Sequence, residues 1–202
     1  PSTIAYLSCL SQESQHSVNL CEELAQHGDN IVNLMQLLIS LFEKRARFLI
    51  DQALEAVSRA SSHGSSRDEA ISLSGVQLCE ASEAHCSLLL VRTFLEAISQ
   101  TSMTNLSKEE NCAMEKMCLL LMFSSIKEEL GSFVCSSCFT CDSFGTLSKF
   151  LTTQIGNLSS QLRNDAVNLV EAWKISDMRL ASTLGRSDGQ YEKALMEAAV
   201  QE

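Results

Sequence analysis

Three cysteines lie close together in the run Cys135-Ser-Ser-Cys138-Phe-Thr-Cys141. Thiolates at that spacing suit a tetrahedral zinc or an iron–sulfur cluster. A closed site needs a fourth ligand, and no further Cys or His is near in sequence. Cys112 or Cys118 would have to be carried in by the fold. A redox Cys-x-x-Cys wants a strand before it and a helix after it, and the flanking pattern offers no such strand. The preferred reading is a cysteine-rich interhelical loop, with a metal- or redox-sensing bundle as the competing one.

Glu80, Glu83 and His85 form a second cluster, in Glu80-Ala-Ser-Glu83-Ala-His85-Cys86. Carboxylates beside a histidine can act as acid, base or ligand. On a helix Glu80 and Glu83 share an edge, while His85 turns away from Glu83 by about 200°. The three do not converge on one atom, so an inter-helix salt bridge for Glu83 and a polar contact for His85 are expected. A third cluster, Glu43-Lys44-Arg45-Ala46-Arg47, concentrates positive charge in an acidic chain. It could meet a phosphate or an acidic partner, but the preferred reading is a solvated helix face with internal pairs, the exception being Arg45, which borders an apolar stripe. No glycine-rich phosphate loop, Gly-x-Ser-x-Gly elbow or His-Glu-x-x-His pair occurs. No catalytic, cofactor-binding or metal-ligating residue is assigned.

The elements that carry these residues are helical. The single proline is Pro1 and glycines number only 8, too little punctuation for a strand-and-turn fold. Residues 1–30 read as an irregular lead-in with short helical turns near Ile4 to Leu10, and Asp29 or Asn30 could cap the first long helix. That helix runs from Ile31 to Arg59, with Met35, Leu38, Phe42, Ala46, Leu49, Ala53 and Val57 on one stripe. Ser66 and Glu69 make a capping box for a second helix reaching Ser99, with Val76, Cys79, Cys86, Leu90, Phe94 and Ala97 on its apolar face. Ser107 and Glu110 open a third, carrying Met117, Leu120, Leu121, Phe123, Ile126 and Leu130 and stopped by Gly131 in a left-handed turn. Asp142-Ser143 caps a fourth, whose seam runs Phe144, Leu147, Leu151, Ile155, Leu158, Leu162, Leu169 and Trp173. Short segments come after it, near Asp177–Thr183 and Gln190–Val200. The fold class is all-α, a four-helix antiparallel bundle over residues 31–202 with a short C-terminal helical appendage.

Composition narrows the partners. With 202 residues and 45% of them hydrophobic, the chain can bury roughly 70% of its unfolded surface. A formal charge of −10 argues against nucleic acid, whose binders need a basic face. No apolar run reaches the ~20 residues of a membrane span, and residues 1–30 lack the pattern of a signal peptide. Nine cysteines without such a signal point to reduced thiols in an intracellular protein. Cys79, Cys86 and Cys118 fall at apolar helix positions, where cysteine acts as a small hydrophobe.

Three ordered blocks resemble the peroxisomal acyl-CoA oxidases. Leu162-Arg163-Asn164-Asp165-Ala166-Val167-Asn168-Leu169-Val170-Glu171-Ala172 is similar to that family's Arg-x-Asp-Ala-Val-x-Leu-Val-Asp-Ala helix. Its Leu-Gly-Arg-x-Asp-Gly turn has a counterpart at Leu184-Gly185-Arg186-Ser187-Asp188-Gly189. Ala81-Ser82-Glu83-Ala84-His85 matches an Ala-Ser-Glu-Ala-His helix, and Phe42 to Leu49 resembles a Tyr-Lys-x-Arg-Ala-Ala-Arg-Leu run. The resemblance implies the C-terminal structural and dimerisation domain of an FAD enzyme that desaturates acyl-CoA and gives hydrogen peroxide. The catalytic glutamate and the flavin segment would lie upstream, so none is assigned here and no cofactor is expected in this segment alone. The implied partners are the catalytic half of the same chain and a second subunit, and the implied location is the peroxisome.

The sequence also departs from that pattern. Gln190 alone separates Gly189 from Tyr191, residue 187 is Ser rather than aromatic, and the chain ends Ala-Val-Gln-Glu without a peroxisomal tripeptide. Either a trimmed fragment or a divergent member would depart in this way, and the cysteine loop, which matches no family motif, favours the divergent member. A non-catalytic interaction module is the alternative. Arg186 and Asp188 are expected either to brace the appendage against a neighbouring surface or to form a local Asp-Gly turn with an exposed Arg.

Overall fold

The computed structural model describes residues 31–100, 106–139, 144–186 and 188–200. The lead-in, the Asp142-Ser143 cap, Cys141 and Ser187 lie outside the described residues. The helices are α1 (Ile31–Ser62), α2 (Arg67–Leu73), α3 (Gly75–Gln100), α4 (Lys108–Glu128), α5 (Leu130–Cys135), α6 (Phe144–Leu162), α7 (Ala166–Glu171), α8 (Asp177–Leu180) and α9 (Tyr191–Val200). The fold is all-α, an antiparallel bundle whose long members are α1, α3, α4 and α6. The chain divides into two compact units, one ending at Gln161 and the other starting at Leu162.

α1 is the spine of the first unit. It packs most broadly on α3 and also touches α2, α4 and α5. Its buried residues, Leu34, Met35, Leu38, Leu41, Phe42, Arg45, Ala46, Leu49 and Ala53, step by three and four along one face, as the apolar stripe requires. Leu88 and Val91 of α3, Met122, Phe123 and Ile126 of α4, Phe133 of α5 and Leu147 and Leu151 of α6 complete the core.

Both capping boxes form. The Ser66 backbone N–H donates to Glu69 Oε2 at 2.9 Å and the Glu69 N–H returns to Ser66 Oγ at 3.3 Å. Ser107 and Glu110 repeat this at 2.7 and 3.2 Å. Those backbone donors hold both glutamates below their ordinary carboxylate range.

Four expectations are corrected. The second helix is not continuous: it breaks at Ser74, in a Ser-Gly pair of low helix propensity. Its core face is also different. Ala81, Ala84, Leu88 and Val91 are buried, whereas Val76, Cys79, Cys86 and Leu90 are exposed.

The left-handed stop assigned to Gly131 does not end α4, which closes at Glu129 with φ −103°; Gly131 lies inside α5, and the left-handed residue comes after α5, at Ser137. Ser137 takes φ 55°, with Cys138 N–H donating to Phe133 O at 3.2 Å and Ser137 N–H to Val134 O at 3.0 Å. That pair of bonds is the Schellman closure of a helix end.

Finally, the fourth helix ends at Leu162. Arg163-Asn164-Asp165 form a turn closed by Asp165 N–H to Leu162 O, because Asn and Asp side chains favour turns over helix interiors. Trp173 is consequently 76% exposed and outside any seam.

In the second unit, α7, α8 and α9 are short and bury no residue fully. Gly185 makes a close approach, since a Cβ there would meet Leu180 Cδ1 at 3.3 Å.

Candidate functional site

The most elaborate polar arrangement joins α1 to α5. Arg45 is only 4% exposed, because the stripe that buries Phe42 and Ala46 carries it inward. Its Nε donates to Ser132 Oγ at 2.6 Å and its Nη2 to Glu129 Oε2 at 3.1 Å. The guanidinium also lies over the Phe133 ring, which meets Phe42 edge-on at 5.1 Å between centroids. Burial lowers the Arg45 pKa, and the charges of Glu129 and Glu83 partly offset that. Arg45 is thus the expected exception in its cluster, and Arg47 behaves as a solvated neighbour, paired with Asp51 at 3.7 Å. This joint is structural, because Nε and Nη2 both bond to residues of the bundle itself.

The Schellman turn after α5 points Cys138 into the core, where its Sγ donates to Leu41 O at 3.4 Å and lies 3.0 Å from Ser136 Oγ. Burial pushes this thiol up, and likewise lifts Cys118 to about 11. Cys135 instead faces outward. Two members of the cysteine run therefore diverge, and among the described residues no three metal-ligating groups converge.

Glu80 and Glu83 do share an edge of α3. They line an open depression with Ser72, Leu73, Gly75, Val76 and Cys79 at the α2–α3 break. The salt bridge expected of Glu83 is a correction: among the described residues the ion pairs that tie separate segments of the bundle together are Glu43–Arg92 and Arg45–Glu129. Glu83 acts on Arg45 through its charge, which raises the Arg45 pKa. His85 is half-buried and not part of that depression.

In the second unit Arg186 and Asp188 hold each other through two hydrogen bonds, Nε to Oδ1 at 3.1 Å and Nη2 to Oδ2 at 2.5 Å. The Gln190 N–H adds a third donor to Asp188 Oδ1 at 3.0 Å. These donors, Arg186 first, bring the Asp188 carboxyl down to about 2. The pair braces its own turn.

The acyl-CoA oxidase family model matches residues 34–202. The chain belongs to the acyl-CoA oxidase family. Among its relatives, peroxisomal acyl-coenzyme A oxidase 1 of Rattus norvegicus is 30% identical over 168 residues, covering 83% of this chain and 24% of that protein. Peroxisomal acyl-coenzyme A oxidase 1 of Arabidopsis thaliana is 25% identical over 182 residues, 90% of this chain and 26% of that one. Acyl-CoA oxidase-1 of Caenorhabditis elegans, solved with FAD and ATP, shares the fold with a TM-score of 0.71 at 21% identity, over 98% of this chain and 27% of its own. The chain therefore spans about a quarter of the length of the curated relatives it matches.

Sequence reasoning missed Glu129, Ser132 and Phe133 as the partners of Arg45. The available signal was an arginine beside an apolar stripe, which demands an acceptor on whichever helix covers it.

Proposed function

We propose that this chain is the C-terminal structural and dimerisation domain of an FAD-dependent acyl-CoA oxidase, that domain comprising residues 31–202 after a lead-in over 1–30. The overall reaction is acyl-CoA + O2 → trans-2-enoyl-CoA + H2O2, in peroxisomal fatty-acid β-oxidation. The match of the family model to residues 34–202 carries this reading, and the all-α bundle supports it.

The described residues do not suit the flavin. The glycines at positive φ, Gly64 and Gly189, sit in turns between helices with open space around them. The depression beside α3 is rimmed by Glu80 and Glu83, whose charge repels a pyrophosphate. The role of the domain is to present a helical surface to the catalytic half and to a second subunit.

The test is acyl-CoA-dependent hydrogen peroxide release by the full-length protein reconstituted with FAD. Release that needs both substrate and flavin is expected. Silence across short, long and branched acyl-CoAs, with the protein folded and flavin-loaded, would replace this reading with a non-catalytic interaction module that kept the fold.

A further inference from the structure

Asp188-Gly189 is the only Asp-Gly step in the sequence, and no Asn-Gly step occurs. Such a step is where a polypeptide most readily rewrites its own backbone. The glycine nitrogen bonds to the aspartate Cγ, a carboxyl oxygen leaves as water, and a cyclic imide forms. Water then opens the imide at either carbonyl. Opening at the α-carbonyl leaves the chain running through Cγ as isoaspartate, with no net gain or loss of atoms and no change of oxidation state. Glycine permits the closure because no β-carbon crowds the attacking nitrogen.

Here the step is open to that chemistry and yet tied. A Cβ added at Gly189 would meet nothing within 4 Å, and the residue sits at φ 70°. The Asp188 side chain is 43% exposed, so water reaches it. Neither crowding nor burial protects the step. Bonding does. Imide closure must expel one carboxyl oxygen, and both are in use: Oδ1 accepts from Arg186 Nε and from the Gln190 N–H, and Oδ2 accepts from Arg186 Nη2. The attacking nitrogen is engaged as well, its N–H donating to Arg186 O at 3.3 Å. A carboxylate has no hydroxyl to expel, and the same donors keep this one ionised at neutral pH. Arg186 is itself held charged by Asp188 first, then by Asp177 of α8 and Glu197 of α9.

We propose that Asp188-Gly189 is a latent isoaspartate site, kept from closing by the side chain of Arg186, and that loss of this clamp lets the backbone lengthen by one methylene just ahead of α9. The product is the kind of residue that an isoaspartyl methyltransferase esterifies with S-adenosylmethionine. This chemistry is confined to one turn and holds whatever reaction the full-length protein performs.

The 202-residue chain is aged at neutral pH beside a synthetic peptide spanning Thr183 to Glu192. Isoaspartate is counted by enzymatic methyl transfer and located by chromatography of the tryptic peptides, since the two isomers share a mass. The peptide is expected to isomerise at least about tenfold faster than the folded chain, the factor that a single pH unit of carboxyl stabilisation supplies. Arg186→Ala in the chain is expected to remove most of that difference. Arg186→Lys is expected to fall between, because an ammonium does not offer a fixed fork to both oxygens. Equal rates in peptide and wild-type chain would overturn the proposal, and so would a wild-type rate in Arg186→Ala. Leu180→Ala loosens the close approach at Gly185 without touching the clamp, and is expected to keep the wild-type rate. Acceleration by Leu180→Ala equal to that by Arg186→Ala would assign the protection to the fold at large and sink the idea. Amide exchange of α9 is read in every variant. Should Arg186→Ala unfold α9, the decision passes to Arg186→Lys, where a wild-type rate overturns the proposal and an intermediate one upholds it.

Discussion

The guanidinium carbon of Arg45 lies 5.1 Å from the centre of the Phe133 ring, 88 positions later in the chain. Through this contact and the bonds to Ser132 and Glu129, one charged side chain ties the spine of the bundle to the short helix that closes it.

Replacing Arg45 with Ala should therefore cost about 2–4 kcal/mol in urea unfolding, since it removes two hydrogen bonds, a cation–π contact and packing volume together. Arg45→Lys should recover less than half of that, because an ammonium cannot lie flat on the ring and reach both acceptors. Glu129→Ala should cost no more than about 1 kcal/mol, its side chain being 52% exposed. A loss for Arg45→Ala as small as that for Glu129→Ala would show that the joint is not held from α1.

The two faces of α3 should respond oppositely to volume. Ala84→Leu forces a larger side chain against α1 and should destabilise by about 1–3 kcal/mol. Val76→Ala in the 202-residue chain should change stability by less than about 0.5 kcal/mol. Chemical denaturation of both variants checks the assignment, and equal effects would contradict it.

Thiol reactivity should separate the cysteines flanking the α5 turn. Cys135 should react with iodoacetamide at least about tenfold faster than Cys138 or Cys118, whose burial keeps the sulfur protonated and out of reach. Mass spectrometry of tryptic peptides reads each site. Comparable rates would mean that the Schellman turn does not hold Cys138 inward.

The turn at Arg186 and Asp188 should be acid-sensitive. The Asp188 carboxyl is depressed from 3.8 to about 2 by its donors. Its contribution is present above the unfolded value, declines as the pH falls below about 4, and is gone below about 2. Carboxyl-detected NMR titration should place its midpoint near 2, and Arg186→Ala should return it towards 3.8. A midpoint unmoved by Arg186→Ala would show that the pair does not form in solution.

Ala181 adopts φ 46° at the end of α8, a left-handed conformation that costs a β-carbon-bearing residue about 1 kcal/mol. Ala181→Gly should relieve that strain and raise the stability of the second unit by up to about 1 kcal/mol. Amide hydrogen exchange across α8 reads the change locally, and faster exchange in the variant would refute it.

Legibility in the sequence depends on side-chain size. The stripe of α1 is legible because Met35, Leu38, Phe42 and Leu49 are large and regularly spaced. Both capping boxes are legible because Ser and Glu three apart satisfy backbone donors locally. The inner face of α3 is easily misread because Ala81 and Ala84 carry little hydrophobic weight, although their small size is what admits a neighbouring helix. The bulkier outer row imitates a core face. The partners of Arg45 depend on how α5 folds back, which no local pattern encodes. The run of Leu169 to Trp173 keeps helical periodicity across Arg163-Asn164-Asp165, and periodicity does not register a turn that preserves phase. As for the site, the shared edge of Glu80 and Glu83 comes from helix geometry alone, whereas their lack of an ion-pair partner among the described residues is a property of the fold.

The self-sufficient starts at Ser66 and Ser107 bear on how the protein is made. Helices α2 and α4 begin through residues only three positions apart, and the broadest interface joins α1 to α3, neighbours along residues 31–100. A ribosome thus delivers a pair of mating helices before α4 has been synthesised. Leu88 and Val91 arrive early to join Leu38 and Phe42 in the core, while Phe123, Phe133 and Leu151 arrive late. The nascent chain waits with one greasy flank rather than two, and it is to that flank, later covered by α4, α5 and α6, that a chaperone would be drawn during synthesis.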